Sequence, residues 1–167
     1  MQRRSKGFTM VELLITLAIA AIILALATPS FLDLMEKNRV RSTAEQLTDL
    51  FRLSRVVAVE QRLRVSVCGS SDNTNCDDDW DSSILSIKKG DSVDEVLGTL
   101  NISSKVSVSK NGTHPEVEFR ESGWAPGDSS TITICPVDGD QRNAYKVIVR
   151  FSGKVRMQAN TDNESWC

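Results

Sequence analysis

The sequence predicts an α+β protein in which one long N-terminal helix packs on an antiparallel β-sheet. An apolar run and a helical repeat of apolar residues occupy positions 8–61, whereas short alternating segments separated by turns fill the remainder. Because strands follow strands without intervening helical patterns, we expect the sheet to be antiparallel. Four cysteines add a third observation, since an even number suits two disulfides in a domain outside the cytoplasm.

The composition suits one anchor plus one modest domain, and it indicates no enzyme. The chain has 167 residues and a net charge of −2, so the molecule as a whole is not a polyanion binder. Its only histidine, His114, stands beside Pro115 without a motif that pairs it with a nucleophile. The acidic segment 72–79 lacks the ligand spacing of an EF-hand, and Cys76 interrupts it. We therefore predict no catalytic residue, no cofactor and no metal site.

The N-terminus combines a basic flank with an apolar run of membrane length. Three basic residues lie within positions 1–7, and the 20-residue run Phe8–Ala27 is apolar apart from two threonines and Glu12. At ~1.5 Å per residue this run spans ~30 Å, the thickness of a bilayer core. The basic flank predicts a cytoplasmic N-terminus and an exported C-terminal part. A secretory signal is disfavoured because its apolar core is shorter and ends in a small-residue cleavage site.

The segment Gly7–Glu12, which reads GFTMVE, closely resembles the class III leader of type IV pilins and type II secretion pseudopilins. The resemblance implies that prepilin peptidase cuts between Gly7 and Phe8 and methylates the new amino group of Phe8. It also implies that Glu12 pairs, in the fibre, with the N-terminal amine of a neighbouring subunit. Such pairing offsets the cost of burying the carboxylate and fixes the axial register.

This resemblance also implies a layout for the whole chain. Residues 1–7 would be the cleaved leader, residues 8–29 the transmembrane and fibre-core helix, and residues 30–167 the periplasmic or extracellular domain. Before assembly the protein would cross the inner membrane once, and afterwards it would lie in a cell-surface pilus. The implied partners are other minor and major pilins, prepilin peptidase and the inner-membrane assembly machinery. Pro29 is expected to kink the helix or to mark a turn that melts in the fibre.

A helical pattern continues beyond the proline to about Gln61. Residues that recur at steps of three and four are expected to face the domain core, and the basic residues between them to form a solvated face. The residues expected at the core are Phe31, Leu34, Leu47, Leu50, Phe51, Ser54 and Ala58.

Strand patterns begin after this helix. Alternating or strongly apolar segments occur at 63–68, 84–87, 106–108, 116–119, 131–134 and 145–151, and turn signals that contain glycine separate many of them.

The cysteines favour two disulfides over a zinc site, because no CxxC spacing occurs. Cys68 and Cys76 bracket a short polar loop, so local pairing is the simplest choice. Cys135 would then pair with Cys167 and pin the C-terminal tail. Four cysteines allow three connectivities, so the other pairings remain open. At least two of the three tryptophans are expected to pack in the core or against a disulfide.

Most of the chain resembles the GspH/FimT group of minor pilins and pseudopilins, which includes FimU-like proteins. The resemblance rests on the pilin helix and on short segments that include Asp79-Trp80, Gly123-Trp124, Ile134-Cys135-Pro136 and Gly153-Lys154-Val155-Arg156. It implies a pilin-like fold and a low-copy subunit that primes assembly, often at the pilus tip. The function it implies is that of a minor type IV pilin, and the alternative is a structural pseudopilin of type II secretion.

Some FimT-type members bind DNA during natural transformation through a C-terminal Gly-Arg-x-Arg motif. The corresponding segment here is Gly153-Lys154-Val155-Arg156, so lysine replaces the first arginine. Lysine still neutralises a phosphate as a point charge, but it lacks the guanidinium fork. DNA is therefore a further partner implied by the resemblance.

The local charge gives this idea independent support. Segment 139–157 carries five basic residues and one acidic residue. The basic residues, which are the candidate DNA contacts, are Arg142, Lys146, Arg150, Lys154 and Arg156. Such a patch contacts phosphates without reading bases. The alternative is the solvated face of an edge hairpin, where basic side chains discourage pairing with another sheet.

Overall fold

The computed structural model describes residues 9–90, 93–127, 129–138, 140–161 and 164–167, with the backbone alone described at 26–29. The chain divides into two compact units, Met1–Met35 and Glu36–Cys167. The second unit contains the hydrophobic core and all strands of the described residues.

A single helix, α1 (Met10–Gln61), runs through 52 residues, and it continues through Pro29 without interruption. At its start the Glu12 backbone N–H donates to Thr9 Oγ1 at 3.2 Å, which satisfies one free amide of the first turn. At its end Arg62 adopts a left-handed φ of 53°, and the Leu63 N–H donates back to the Ala58 carbonyl at 3.2 Å. This is the geometry of a Schellman cap. Within the described residues, α1 alone is long and apolar enough to cross a membrane.

The buried stripe of α1 lies in the second unit. Val40, Ala44, Leu47, Phe51 and Ala58 are fully buried, at steps of three, four and seven residues that keep them on one helix face. Burying each large apolar side chain contributes about 1.5–3 kcal/mol. The stripe therefore anchors the domain to its helix.

Two residues predicted to belong to this stripe do not face the core. Phe31 is 59 % exposed and Leu34 is 54 % exposed, and both lie in the unit Met1–Met35. That part of the prediction is wrong because the apolar spacing continues from the anchor into the domain without a break. Spacing alone does not distinguish a face covered by the domain from one left open on the single subunit.

The described residues form two four-stranded sheets, with strand orders β3-β2-β1-β5 and β4-β6-β7-β8, in which every pair is antiparallel. The strands are β1 (Val65–Ser70), β2 (Ser83–Lys88), β3 (Glu95–Asn101), β4 (Val106–Asn111), β5 (Glu116–Phe119), β6 (Ser130–Pro136), β7 (Tyr145–Val149) and β8 (Val155–Ala159). The predicted α+β class with antiparallel strands is confirmed, but the strands form two sheets where one was expected.

One hydrophobic core joins α1 to both sheets. Phe51 packs edge-on against Phe119 of β5, with ring centroids 6.3 Å apart. Ile132 of β6 and Val147 of β7 are fully buried in the same cluster. The inner faces of the two sheets therefore share the stripe of α1 as their common packing surface.

The turn between β7 and β8 requires glycine. Gly153 has a φ of 72°, and a Cβ atom built on it would lie 1.9 Å from the Gly123 carbonyl oxygen. That oxygen accepts a hydrogen bond from Arg55 Nε of α1 at 2.9 Å. The tip of the β7–β8 hairpin is thus held against α1 through the loop that contains Gly123.

Two disulfides are present, Cys68–Cys76 and Cys135–Cys167, and these are the pairs that the sequence favoured. The first closes the polar loop that follows β1. The second ties the segment after β8 to β6, across a sequence separation of 32 residues.

We predict that the long-range disulfide stabilises the domain more than the local one. Cys135→Ser with Cys167→Ser should lower the free energy of unfolding by about 3–4 kcal/mol, and Cys68→Ser with Cys76→Ser by about 2–3 kcal/mol, because a longer loop loses more entropy on closure. Guanidinium unfolding of the full chain in a non-ionic detergent, followed by tryptophan fluorescence, measures both values. A larger loss for the local pair would contradict the loop-entropy ranking.

We also predict that Gly153→Ala lowers the free energy of unfolding by about 2 kcal/mol or more, because of the positive φ and the clash with Gly123. Gly98→Ala is the matched control. Its added Cβ would meet only the flexible Leu50 side chain, at 3.2 Å, so the change should stay below about 1 kcal/mol. Equal losses of unfolding free energy for the two variants would contradict this prediction, because they would mean that the turn at residue 153 accommodates the added Cβ atom.

Candidate functional site

The hairpin of β7 and β8 presents alternate residues to opposite sides of its sheet. Tyr145, Val147 and Val149 are buried against the core, so the even-numbered positions face outward. On the outer side Ile148 pairs with Arg156, and the Arg150 N–H donates to the Lys154 carbonyl at 2.9 Å across the turn.

Three of the five predicted basic residues come together at the turn end of this hairpin. Arg150 and Lys154 flank the turn, Arg156 follows on β8, and all three are exposed. Among the described residues none of the three forms an ion pair. We refer to Arg150, Lys154 and Arg156 as the hairpin cluster.

Lys146 lies on the same outer face but is occupied by the C-terminal tail. Its ammonium nitrogen sits 3.9 Å from the centroid of the Trp166 ring, a cation–π contact. Trp166 Nε1 in turn donates to Glu164 Oε2 at 2.8 Å. The disulfide of Cys167 to Cys135 holds this tail in place. Lys146 is therefore less available to a ligand than the hairpin cluster.

Arg142 lies at the opposite end of β7 from the turn. It belongs to a short 3₁₀ helix, Gln141–Asn143, whose first turn is capped by Asp140. Arg142 Nε donates to Asp140 Oδ2 at 2.6 Å. The hydrogen bonds from Arg142 hold the pKa of Asp140 below its usual value. This local pair neutralises the charge of Arg142, so the structure separates Arg142 from the hairpin cluster.

Sequence reasoning missed a second set of cations, which belongs to α1. Arg52, Arg55, Val56, Val59 and Glu60 line a groove of about 660 Å³ whose other wall is Gly153–Val155. The helical spacing assigned both arginines to a solvated face. Their approach to the hairpin depends on a contact between residues 68 positions apart, Arg55 and Gly123, and no local pattern reports such a contact.

Two aromatic residues near the hairpin are also unexpectedly exposed. Trp124 is 53 % exposed and Phe151 is 50 % exposed. Their rings pack edge to face with centroids 5.1 Å apart. Trp80, in contrast, is buried, and its Nε1 donates to Asp78 Oδ1 at 2.9 Å.

The acidic loop closed by Cys68–Cys76 satisfies its own carboxylates. Asp72 Oδ1 accepts the backbone N–H groups of Thr74 and Asn75, each at 2.8 Å. Hydrogen bonds from Thr74 and Asn75 hold the pKa of Asp72 well below its usual range. In the part of the chain that the structure describes, no group of three or more histidine, cysteine or acidic side chains is arranged to hold a metal.

The predicted assembly residues lie at the start of α1. Glu12 is exposed in the first turn of the helix. Gly7 and Phe8, the predicted cleavage and methylation positions, lie outside the described residues. The pairing of Glu12 with a neighbouring amine involves a second subunit and stays a prediction.

Comparisons with known proteins agree with this fold. Residues 2–28 match the family described as the prokaryotic N-terminal methylation motif, and residues 43–153 match the family described as type II transport protein GspH. No curated protein matches the chain.

Two solved structures resemble the fold at low sequence identity. One is the type IV minor pilin FimU of Pseudomonas aeruginosa strain PAO1, at 18 % identity and a TM-score of 0.62, covering 77 % of this chain and 95 % of FimU. The other is the minor pseudopilin EpsH from the type 2 secretion system of Vibrio cholerae, at 13 % identity and a TM-score of 0.57, covering 74 % of this chain and 99 % of EpsH. These structures agree in fold, the methylation motif and the apolar start of α1 fit a membrane-anchored subunit, and the match over residues 43–153 identifies this chain as a non-enzymatic member of the GspH family of minor pilins and pseudopilins.

Proposed function

We propose that this protein is a minor type IV pilin, which supports pilus assembly, and that its hairpin cluster contacts DNA during uptake. The observation that carries the DNA proposal is the hairpin cluster itself. Three exposed cations lie at one end of the hairpin without acidic partners among the described residues, while Arg142, at the opposite end of β7, is neutralised by Asp140.

The chemistry of the cluster suits a phosphate backbone. Clustered lysine and arginine side chains neutralise phosphates and release the counterions that surround DNA. Lys154 supplies a point charge, and Arg150 and Arg156 add planar guanidinium groups that can grip phosphate oxygens in pairs. This arrangement reads no bases, so we expect binding that is independent of sequence and strongly weakened by salt.

The second candidate is a structural pseudopilin of type II secretion. It is favoured by the match to the GspH family and by the likeness to EpsH. A deletion strain separates the two candidates. Loss of twitching or transformation with normal protein export supports the pilus, and loss of export with intact twitching supports the secretion system.

We also infer that the processed chain starts at Phe8, that its C-terminal domain faces the periplasm before assembly, and that Glu12 pairs with a neighbouring subunit in the fibre. The basic flank and the apolar run of the N-terminus support this topology.

Glu12→Gln should leave leader removal intact but block incorporation into the fibre. Breaking a buried ion pair costs about 3–5 kcal/mol, so the amount in sheared fibres should fall about a hundredfold or more. Immunoblots of sheared fibres and the mass of the membrane-bound chain measure both steps. Thr16→Val, which removes a neutral polar group from the same helix, should assemble normally. Wild-type incorporation of Glu12→Gln would contradict the pairing.

Lys154→Gln combined with Arg156→Gln should weaken the binding of duplex DNA by the full chain in a non-ionic detergent. Because two phosphate contacts are lost, the slope of log affinity against log salt should decrease by about two units. Lys88→Gln with Lys89→Gln is the matched control, since these lysines already pair with Glu95 at 3.5 Å and Asp94 at 3.1 Å. Mobility shifts across a salt series give the slopes, and equal slopes for both double variants would refute the role of the cluster.

A further inference from the structure

The exposed Trp124–Phe151 pair lies beside the hairpin cluster. Phe151 directly follows Arg150, and Lys154 stands three residues further along the same turn. Large aromatic side chains contribute most of their stabilisation when buried, so two that touch each other and remain half exposed form an available apolar surface. We refer to Trp124 and Phe151 as the aromatic pair.

The backbone holds the aromatic pair firmly. The Ala125 N–H donates to the Phe151 carbonyl at 3.0 Å, and the Arg120 N–H donates to the Trp124 carbonyl at 2.9 Å. The next carbonyl towards the N-terminus, at Gly123, accepts from Arg55 Nε. Both rings are therefore attached to backbone that is already ordered, which lowers the entropic cost of stacking a ligand on them.

Positive charge lies near this surface in both the hairpin cluster and the groove along α1. The hairpin cluster supplies three cations, and the adjoining groove adds Arg52 and Arg55 against a single acid, Glu60. Arg52 is partly neutralised by Asp49, at 3.3 Å, whereas Arg55 points to the Gly123 loop. An apolar protein partner would contact the rings and make no use of the neighbouring cations. A ligand that combines flat apolar faces with regular negative charge uses the rings and the cations together.

We propose that the aromatic pair stacks with the unpaired bases of single-stranded DNA while the hairpin cluster binds the flanking phosphates. This inference rests on the proposed DNA contact and specifies the form of DNA. Bases expose their faces only when they leave the duplex stack, and aromatic side chains then bind them with little regard to sequence. The aromatic pair therefore adds affinity for single strands and nothing for an intact duplex, which offers phosphates alone.

The test compares a labelled single-stranded 20-mer with the duplex of the same sequence, bound by the full chain in a non-ionic detergent. Trp124→Ala and Phe151→Ala should each weaken single-strand binding about fivefold or more, while duplex binding changes less than twofold. Trp124→Phe retains a stacking surface and should recover most of the loss. Val137→Ala, at an apolar residue that is 51 % exposed elsewhere, is the matched control and should bind both DNAs normally.

The outcomes separate this inference from the proposed function. Duplex binding that depends on Lys154 and Arg156, with single-strand binding unaffected by the aromatic substitutions, would overturn the stacking inference alone. Binding of neither DNA by the wild-type chain would overturn both. Normal DNA binding by Trp124→Ala together with its loss from sheared fibres would overturn the inference in favour of a contact between subunits. Circular dichroism of each variant identifies any that fail to fold. If Trp124→Ala is one of them, Phe151→Ala decides the result, since about fivefold weaker single-strand binding is expected of it and unchanged binding would contradict stacking.

Discussion

The burial of one helix face governs the architecture of the domain. Neither sheet packs alone, because the inner faces of both share the stripe from Val40 to Ala58 in a single cluster. Phe51 and Leu47 belong to this cluster, and both are fully buried. The same helix continues into an apolar segment whose side chains are exposed on the single subunit. The packed stripe and the apolar segment therefore belong to one continuous element of secondary structure, α1.

The hairpin is positioned by contacts that are distant in sequence. Arg55 of α1, the Gly123 carbonyl and the narrow turn at Gly153 meet at one point. Arg55 is thus a positioning residue, since it ties the loop that carries Trp124 to the helix. At the other end of the same sheet, the Cys135–Cys167 bond brings Trp166 under the ammonium of Lys146. The C-terminal tail therefore covers the outer face of this sheet near Lys146, whereas the face at the hairpin cluster is left open.

Local sequence patterns predicted the helix and most strands, because burial on one side imposes a period of 3.6 or 2 residues. Strand β3 escaped detection because it lies at a sheet edge, contains Gly98 and buries no side chain completely, so no alternation selected it. The division into two sheets depends on which strands pair, and alternation within a strand carries no such information. In the candidate site, local charge identified the hairpin cluster. It could not reveal that Arg142 is neutralised by Asp140, since that pair depends on the cap of a 3₁₀ helix.

Because of the order of the cysteines along the chain, the two disulfides can form at different times. Cys68 lies in β1 and Cys76 follows eight residues later, before β2, so their bond can close before most of the strands have been synthesised. Cys167 follows β8, so its bond to Cys135 closes only after every described strand has been synthesised. The second bond therefore forms across the whole set of described strands, whereas the first needs only β1 and the loop after it. The outer face of the second sheet takes its described arrangement, with Lys146 against Trp166 and the hairpin cluster open, only when the bond that holds the C-terminal tail has closed.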